Sequence, residues 1–349
     1  MRIASVASAM PDQYYSQQEI FEALCEHWKG KLDKPDVLER LHQRVSVDGR
    51  HLAYPIEEYA SIETWGDAND RWIKAAVELG QRSITAALER AGRKKEEIGA
   101  IITVSVTGIA APSLDAKLSN VMDLPLGMRR TPIFGLGCVA GAAGIGQAAD
   151  YVRAYPDRIA VLLSVELCSL TWQRMDLSVA NMIASGLFAD GSAAVVVTGD
   201  MVKADGPEIL DYRASFYRNT EHLMGWDISE EGFQIVLSPD VPEAVYKNFP
   251  HDVDSFLADH GMKRSDIGTW IMHTGGPKVL DACAGALGLT RETFAPSWDC
   301  LRRKGNMSSA SVLLVLEDFM MNHRPAAGTY SILAAVGPGF CSELVLLRW

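Results

Sequence analysis

Long apolar runs, paired cysteines and an excess of positive charge are all missing from this chain of 349 residues. No segment approaches the roughly 18 apolar residues that cross a bilayer. Residues 1–15 also lack the apolar core and cleavage site of a signal peptide. We therefore expect no stable membrane insertion and a cytoplasmic location.

The charge balance is acidic, because 33 Lys and Arg residues face 44 Asp and Glu residues. Proteins that bind a phosphate backbone are usually basic, so we expect no nucleic-acid partner. The six cysteines form no CxxC pair, which indicates neither a zinc site nor a dithiol motif. In a reducing compartment, a cysteine with unusual surroundings is then a candidate nucleophile.

Apolar strands alternate with helices along the first two hundred residues, which predicts an α/β fold whose sheet is covered on both faces. An apolar stripe predicts a helix over 70–90. Strands are predicted at 100–106, 132–137, 159–166 and 192–200, with a second helix at 142–155.

The second half of the chain repeats this plan. EEIGAII (96–102) resembles SDIGTWI (265–271), and GCVAGAAGIGQAADYV (137–152) can be laid on GNMSSASVLLVLEDFM (305–320). Cys138 then falls on Asn306. We interpret the chain as two similar halves, 1–200 and 201–349, each of which contributes a helix N-terminus to a shared site; chance similarity between βαβ units is the alternative.

Cys138 lies between a predicted strand and a helix, in GLGCVAGAAG. A helix N-terminus carries partial positive charge, which favours a thiolate. Cys138 is therefore a candidate nucleophile, although a small buried cysteine is the more common fate of such a residue.

The same glycines permit a rival interpretation. Gly135-x-Gly137-x-x-x-Gly141 follows a strand and opens a helix, and Glu166 ends the next strand. This arrangement is close to a dinucleotide-binding unit. The spacing is not the commonest one, and a thiolate at Cys138 would repel a pyrophosphate.

His273 follows a predicted strand and precedes a glycine turn, from which it can project into a cleft, and Asn306 opens the second-half helix. A surface histidine and a simple helix N-cap are the ordinary alternatives. If Cys138, His273 and Asn306 share one pocket, the cysteine can carry an acyl group. The other two can then donate hydrogen bonds to a developing oxyanion.

Six segments together resemble the type III polyketide synthases, the chalcone-synthase-like branch of the thiolase superfamily. They span 103–349 in the family's order: GLGCVAGAAG, SVELCSLTW, GLFADGSAAVVV, WIMHTGGPKVLD, GNMSSASVLLVLEDF and GPGFCSELVLLRW. The resemblance implies a five-layered αβαβα thiolase fold with two pseudo-symmetric halves, acting as a homodimer.

The resemblance also assigns roles to individual residues. It implies that Cys138 is the nucleophile, that His273 and Asn306 assist it, and that Phe188 in LFADG is the gatekeeper. Charged positions of the family's CoA-binding stretch fall on Arg40 and Arg44. Substrate-binding positions fall on Val106, Cys168, Thr171, Ile235 and Ser308.

ELCS at 166–169 resembles the bacterial and mycobacterial alkylpyrone and alkylresorcinol synthases, which accept fatty-acyl-CoA starters. Tetrahydroxynaphthalene synthases, which use malonyl-CoA alone, carry a cysteine where Val106 stands. The resemblance therefore implies decarboxylative condensation of a fatty-acyl-CoA with malonyl-CoA, followed by cyclisation to alkyl-α-pyrones or alkylresorcinols.

We expect no metal and no other cofactor, because CoA thioesters carry the activation. Three other classes stay open at this point. They are a ketoacyl-carrier-protein synthase III-like enzyme, a dinucleotide-dependent oxidoreductase and a non-catalytic thiolase-fold binding protein.

Overall fold

The computed structural model describes residues 1–32 and 35–349, which contain thirteen strands and ten α-helices. The strands are β1 (Arg2–Ala9), β2 (Gln13–Ser16), β3 (Gly49–Leu52), β4 (Ile98–Ser105), β5 (Arg129–Phe134), β6 (Ile159–Leu167), β7 (Asp190–Thr198), β8 (Glu208–Phe216), β9 (Met224–Ser229), β10 (Gly232–Leu237), β11 (Ile267–Met272), β12 (Tyr330–Gly337) and β13 (Cys341–Arg348). The helices are α1 (Gln17–His27), α2 (Pro35–Arg44), α3 (Trp65–Ala91), α4 (Leu114–Met122), α5 (Ala140–Ala154), α6 (Val179–Leu187), α7 (Val241–Asp259), α8 (Pro277–Leu287), α9 (Ala295–Lys304) and α10 (Ser308–Met321).

Nine of these strands form one sheet, in the order β11-β12-β13-β8-β1-β7-β6-β4-β5. The pairs β4–β5, β4–β6 and β11–β12 are parallel, and the other neighbours are antiparallel. β6 and β7 are buried along their whole length, which explains their continuous apolar sequences.

The two halves of the sheet have the same construction. From the outside inward, β4-β6-β7-β1 and β11-β12-β13-β8 follow the same order, with one parallel pair and then two antiparallel pairs. The predicted repeat is therefore confirmed, and it places α5 opposite α10.

Helices α5 and α10 pack against each other between the two halves of the sheet, and each contacts strands of both halves. On one outer face, α3 covers β1, β6 and β7. On the other, α7 and α8 pack together over a separate apolar cluster that includes Phe249, Phe256 and Trp270. The predicted five layers, α-β-α-β-α, are confirmed.

Local sequence explains the ends of the long helix α3. Thr64 and Asp67 form a reciprocal capping box at its start. Gly92, with φ of 62°, ends it in the left-handed conformation. Of the described helices, none is both long enough and apolar enough to cross a membrane.

β5 differs from the other predicted strands because it is mostly exposed. It lies at the edge of the sheet and pairs with β4 alone. Its exposure leaves one row of backbone hydrogen-bonding groups without a neighbouring strand.

Candidate active site

Cys138 lies in a short 3-10 turn, Gly137–Val139, that joins β5 to the N-terminus of α5. The turn needs glycine at two positions, because Gly135 and Gly137 have φ of 96° and 55°. A side chain at Gly137 would also lie 2.7 Å from Cγ of Pro338. The glycine turn thus fixes Cys138 at a buried helix N-terminus.

The loop after β12 contacts this turn from the second half of the chain. A Cβ added to Gly337 would lie 3.2 Å from Cβ of Cys138. Cys341 follows that loop and donates to the carbonyl of Pro338 at 3.1 Å. The GPG segment recognised in the sequence therefore packs directly against Cys138, the candidate nucleophile.

Ser308 and Asn306 approach Cys138 from the start of α10. The Cys138 thiol donates to Oγ of Ser308 at 3.6 Å. The backbone N–H of Ser308 and the hydroxyl of Ser311 donate to Oδ1 of Asn306, at 2.8 and 3.3 Å. Because Oδ1 is occupied, the amide nitrogen of Asn306 is the group left to donate to a substrate.

His273 follows β11, and its backbone N–H donates to the carbonyl of Ala334 on β12 at 2.9 Å. The turn after it approaches Leu187, because a Cβ on Gly276 would lie 3.4 Å from Cδ2 of that leucine. The carbonyl of Leu187 in turn accepts from the N–H of Asn306. His273 therefore belongs to the same end of the sheet as Cys138 and Asn306.

Neither ring nitrogen of His273 has a partner among the described residues. Burial lowers the pKa of His273 to about 3, so the imidazole is neutral. A neutral imidazole has one donor and one acceptor nitrogen. It can therefore accept a proton from a thiol or donate a hydrogen bond to a carbonyl oxygen.

The expected thiolate at Cys138 is not what this structure favours. Burial raises the pKa of Cys138 to about 12, and the hydrogen bond with Ser308 opposes this rise. The negative charge of Glu166 raises the pKa of Cys138 further. Before substrate binds, Cys138 is thus a neutral thiol, and as a nucleophile it would have to lose its proton during attack.

Glu166, which the dinucleotide interpretation assigned to a ribose, is fully buried. Its carboxylate accepts from Ser309, from Thr107 at 2.9 Å and from the N–H of Val106 at 3.1 Å. A side chain on Gly141 would overlap the carbonyl of Ser309. Since α10 fills the space above the glycine turn, the dinucleotide interpretation is wrong.

A cavity of about 370 Å³ is lined mainly by residues from the first two hundred positions of the chain. Four residues identified from the sequence line it together: Cys168, Thr171, Phe188 and Ile235. Ile20, Leu24 and His27 of α1 line it with i, i+4 and i+7 spacing, so the cavity runs along one face of this helix. Most of the remaining wall is apolar.

Phe188 connects this cavity to the three candidate catalytic side chains. It lines the cavity, while its backbone forms a parallel bridge with Asn306. Cys168 is also near the candidate nucleophile Cys138. Burial first, and then the negative charges of Glu166 and Asp190, raise the pKa of Cys168 well above the usual range.

Val106 is not among the described residues that line the cavity. It is buried, and its N–H donates to Glu166. Thr171 does line the cavity, but its hydroxyl donates to the carbonyl of Cys168 at 2.8 Å. Two of the predicted substrate-binding residues are thus not part of the cavity wall: Val106 is hydrogen-bonded to Glu166, and Ser308 lies beside Cys138.

Arg40 and Arg44 lie on the exposed face of α2, opposite the buried Leu38 and His42. Arg40 forms an ion pair with Asp36 at 2.9 Å. His42 packs against Gly186 near the end of α6. The predicted CoA-binding arginines thus lie on the solvent side of α2, whereas its buried side packs against α6, the helix that ends just before Phe188.

Sequence reasoning missed most of the cavity wall, including Arg50, Trp172 and Trp226. Arg50 and Trp226 come from strands without a recognisable motif, whereas Trp172 ends the quoted segment SVELCSLTW. Among residues 1–32 and 35–349, no group of three or more His, Cys, Asp or Glu side chains is arranged to hold a metal ion.

Comparison with known proteins assigns this site to a family. Sequence models of the N-terminal and C-terminal domains of chalcone and stilbene synthases match residues 2–201 and 209–349. The chain belongs to this family, and it is a type III polyketide synthase of the acyltransferase class.

Individual relatives cover nearly the whole chain. The protein is 45% identical to 1,3,6,8-tetrahydroxynaphthalene synthase of Streptomyces peucetius subsp. caesius, over 99% of this chain and 93% of that protein. It is 32% identical to a putative chalcone synthase of Bacillus subtilis, over 99% and 98%. The solved structure of 1,3,6,8-tetrahydroxynaphthalene synthase from Streptomyces coelicolor matches with a TM-score of 0.95 and 30% identity, over 100% and 99%.

Proposed function

We propose that this polyketide synthase extends a fatty-acyl-CoA starter with malonyl-CoA and cyclises the product to an alkyl-α-pyrone or an alkylresorcinol. The observation that carries the proposal is the apolar cavity in which Cys168, Thr171, Phe188 and Ile235 meet. Its volume of about 370 Å³ lies within the range of sites that enclose a small ligand.

In the first step, Sγ of Cys138 attacks the starter thioester and CoA leaves as its thiol. His273 takes the proton of Cys138 as the sulfur attacks, and the departing CoA sulfur receives a proton in return. The buried neutral thiol requires such an acceptor, because little thiolate is present beforehand.

In the second step, malonyl-CoA loses CO₂ and becomes an enolate, whose carbon attacks the acyl carbonyl on Cys138. The bond between that carbonyl and Sγ then breaks, which leaves the extended chain on CoA, and the Cys138 thiolate takes up a proton from solvent. The amide nitrogen of Asn306 and the donor nitrogen of His273 stabilise the enolate oxygen. Both side chains are almost fully buried, and hydrogen bonds to a developing charge are strongest where water is excluded.

An alkyl tail in the cavity stabilises the complex by roughly 0.8 kcal/mol for each buried methylene. The exposed Arg40 and Arg44 are proposed to hold the CoA phosphates. No metal or other cofactor enters this scheme. All six cysteines are free, in keeping with the proposed cytoplasmic location.

A homodimer is proposed from the edge of the sheet. Val121, Leu126 and Phe134 are all large apolar residues with substantial exposure beside or on β5. A second copy of the chain would cover this apolar edge.

A second candidate is the formation of 1,3,6,8-tetrahydroxynaphthalene from malonyl-CoA alone. The 45% identity to the Streptomyces peucetius enzyme favours it. Val106 in place of that group's cysteine argues against it.

The test is mass spectrometry of products formed by purified protein from malonyl-CoA, with and without a panel of acyl-CoAs. Turnover that rises with starter length until the cavity is full would support the fatty-acyl proposal. A single naphthalene product that is independent of the added starter would overturn it in favour of the second candidate.

Replacing Cys168 with Phe tests the cavity directly. The larger side chain should shorten the preferred starter, because packed interiors resist added volume, while short starters keep their turnover. Cys300→Phe is the matched control, since Cys300 is equally buried in α9 and is not among the cavity-lining residues. An unchanged chain-length profile in a Cys168→Phe protein with a normal thermal melt would contradict the proposed starter site.

A further inference from the structure

Arg50 is a buried cation on the wall of the cavity. Its exposed fraction is 2%, and it lies on β3. Among the described residues no carboxylate contacts it directly, and the negative charge of Asp190 acts on it from beyond ion-pair distance. A buried arginine without a direct counter-ion is uncommon in a protein interior.

Three hydrogen bonds hold the guanidinium in place. Nη1 donates to Oε1 of Gln17 at 2.5 Å and to the carbonyl of Gly186 at 3.0 Å. Nη2 donates to the carbonyl of Ser185. The two carbonyls belong to the last turn of α6, where a cation is favoured by the helix dipole.

The remaining donor, Nε, is buried and has no partner within residues 1–32 and 35–349. The end-capping contacts therefore account for the two Nη groups and leave Nε unexplained. Buried N–H groups without a partner are rare in folded proteins, so this donor indicates a ligand atom that the free protein does not supply.

The position of Arg50 indicates which part of the ligand that is. A Cβ on Gly305, the residue before Asn306, would lie 3.4 Å from Cδ of Arg50. Gln17, which holds Arg50, is the first residue of α1, whereas His27 at the other end of the cavity is its last. Arg50 is therefore at the end of the cavity nearest Asn306, and Ile20 and Leu24 continue the wall away from it.

We propose that Arg50 binds a ketone or enolate oxygen of the extended poly-β-ketoacyl chain through Nε–H. The inference rests on the proposed function of the cavity and deepens it. The alkyl tail lies along α1, and the oxygens introduced by extension lie near Asn306, where Arg50 holds the chain for cyclisation. A fixed cationic donor suits this task, because it needs no rearrangement when negative charge develops on the oxygen.

The first test compares Arg50→Lys with Ser178→Ala. Lysine keeps the charge but lacks Nε–H, so the ratio of cyclised to linear hydrolysed product should fall by about tenfold. Acylation of Cys138, followed by intact mass, should stay within about twofold. Ser178→Ala removes the side-chain cap at the start of α6 without touching Arg50, so it should lower the melting temperature without moving the product ratio.

Two results of this comparison would overturn the inference. One is an unchanged product ratio in folded Arg50→Lys. The other is an equal shift of the ratio in both variants, which would mean that Arg50 only supports the end of α6.

A second test uses the unaltered enzyme beside Arg50→Lys and does not need turnover. A linear β-diketone and an alkene of the same length are compared as protectants of Cys138 against iodoacetamide. About tenfold tighter protection by the diketone that is lost in Arg50→Lys supports the oxygen site at Arg50. Equal protection by the two compounds, or a preference that Arg50→Lys keeps, overturns it. If the enzyme forms no polyketide at all, the proposed function fails, while this comparison still decides the role of Arg50.

Discussion

At Cys138, burial and hydrogen bonding act on the thiol in opposite directions. Burial raises its pKa to about 12, while the contact with Ser308 lowers it. Burial lowers the pKa of His273 to about 3. Both shifts favour the uncharged forms, so Cys138 is a thiol and His273 a neutral imidazole, rather than a thiolate and an imidazolium.

This state predicts the pH dependence of Cys138 alkylation. A raised thiol pKa means that the thiolate fraction grows about tenfold for each pH unit below that pKa. The iodoacetamide rate constant, measured by mass spectrometry of the peptide that contains Cys138, should therefore rise steadily from pH 6 to pH 9. A plateau at neutral pH would show a preformed thiolate, and Cys138→Ala provides the blank.

Asn306 should matter more for decarboxylation than for acylation. Its Oδ1 is held by Ser308 and Ser311, which directs the amide nitrogen toward substrate. Removing one such donor typically costs about 10²–10³ in rate. Asn306→Ala should therefore slow CO₂ release from malonyl-CoA by this amount and change Cys138 acylation far less; equal losses in both steps would count against the assignment.

At the scale of elements, the close crossing of α5 and α10 brings the two halves of the site together. Gly141 permits it, because a Cβ there would overlap the carbonyl of Ser309 and lie 2.9 Å from Cγ1 of Val312. The crossing places Cys138 beside Ser308 without any movable loop between them.

Gly141→Ala should lower the free energy of unfolding by about 1–3 kcal/mol, the usual cost of overpacking. Gly66→Ala is the control, since Gly66 lies in α3 and its nearest neighbour is Oγ1 of Thr64 at 3.6 Å. That change should stabilise slightly, because alanine favours helix. Urea unfolding of both variants checks the pair, and a neutral effect at Gly141 would refute the close crossing.

Strand β6 was predictable to within one residue and β7 to within two, because burial on both faces leaves a continuous apolar sequence. The pairing of Cys138 with Asn306 was predictable from the internal repeat. The edge position of β5 was not, since an edge depends on which strands are absent beside it. Arg50 and Trp226 also escaped prediction, because the cavity is built from segments that are distant in sequence and carry no motif.

At the scale of the whole molecule, the apolar residues near β5 set an expectation for assembly. Leu126 is fully exposed, and Val121 and Phe134 are about half exposed. Leu126→Lys should weaken the proposed homodimer, because it places a charge in an apolar contact. Light scattering at decreasing protein concentration measures the effect, with Met201→Lys as a control at an exposed residue between β7 and β8. A dimer of unchanged strength in Leu126→Lys would place the interface elsewhere.

The cavity's course along α1 makes that helix a ruler. Ile20, Ala23, Leu24 and His27 lie on its inner face, and each residue advances about 1.5 Å along the axis. The stretch from Ile20 to His27 therefore follows the cavity wall for about 10 Å. Under the proposed function, a bulky side chain at position 20, 23, 24 or 27 would stop the alkyl tail at a depth that depends on the position. The choice of position would therefore set the length of the product.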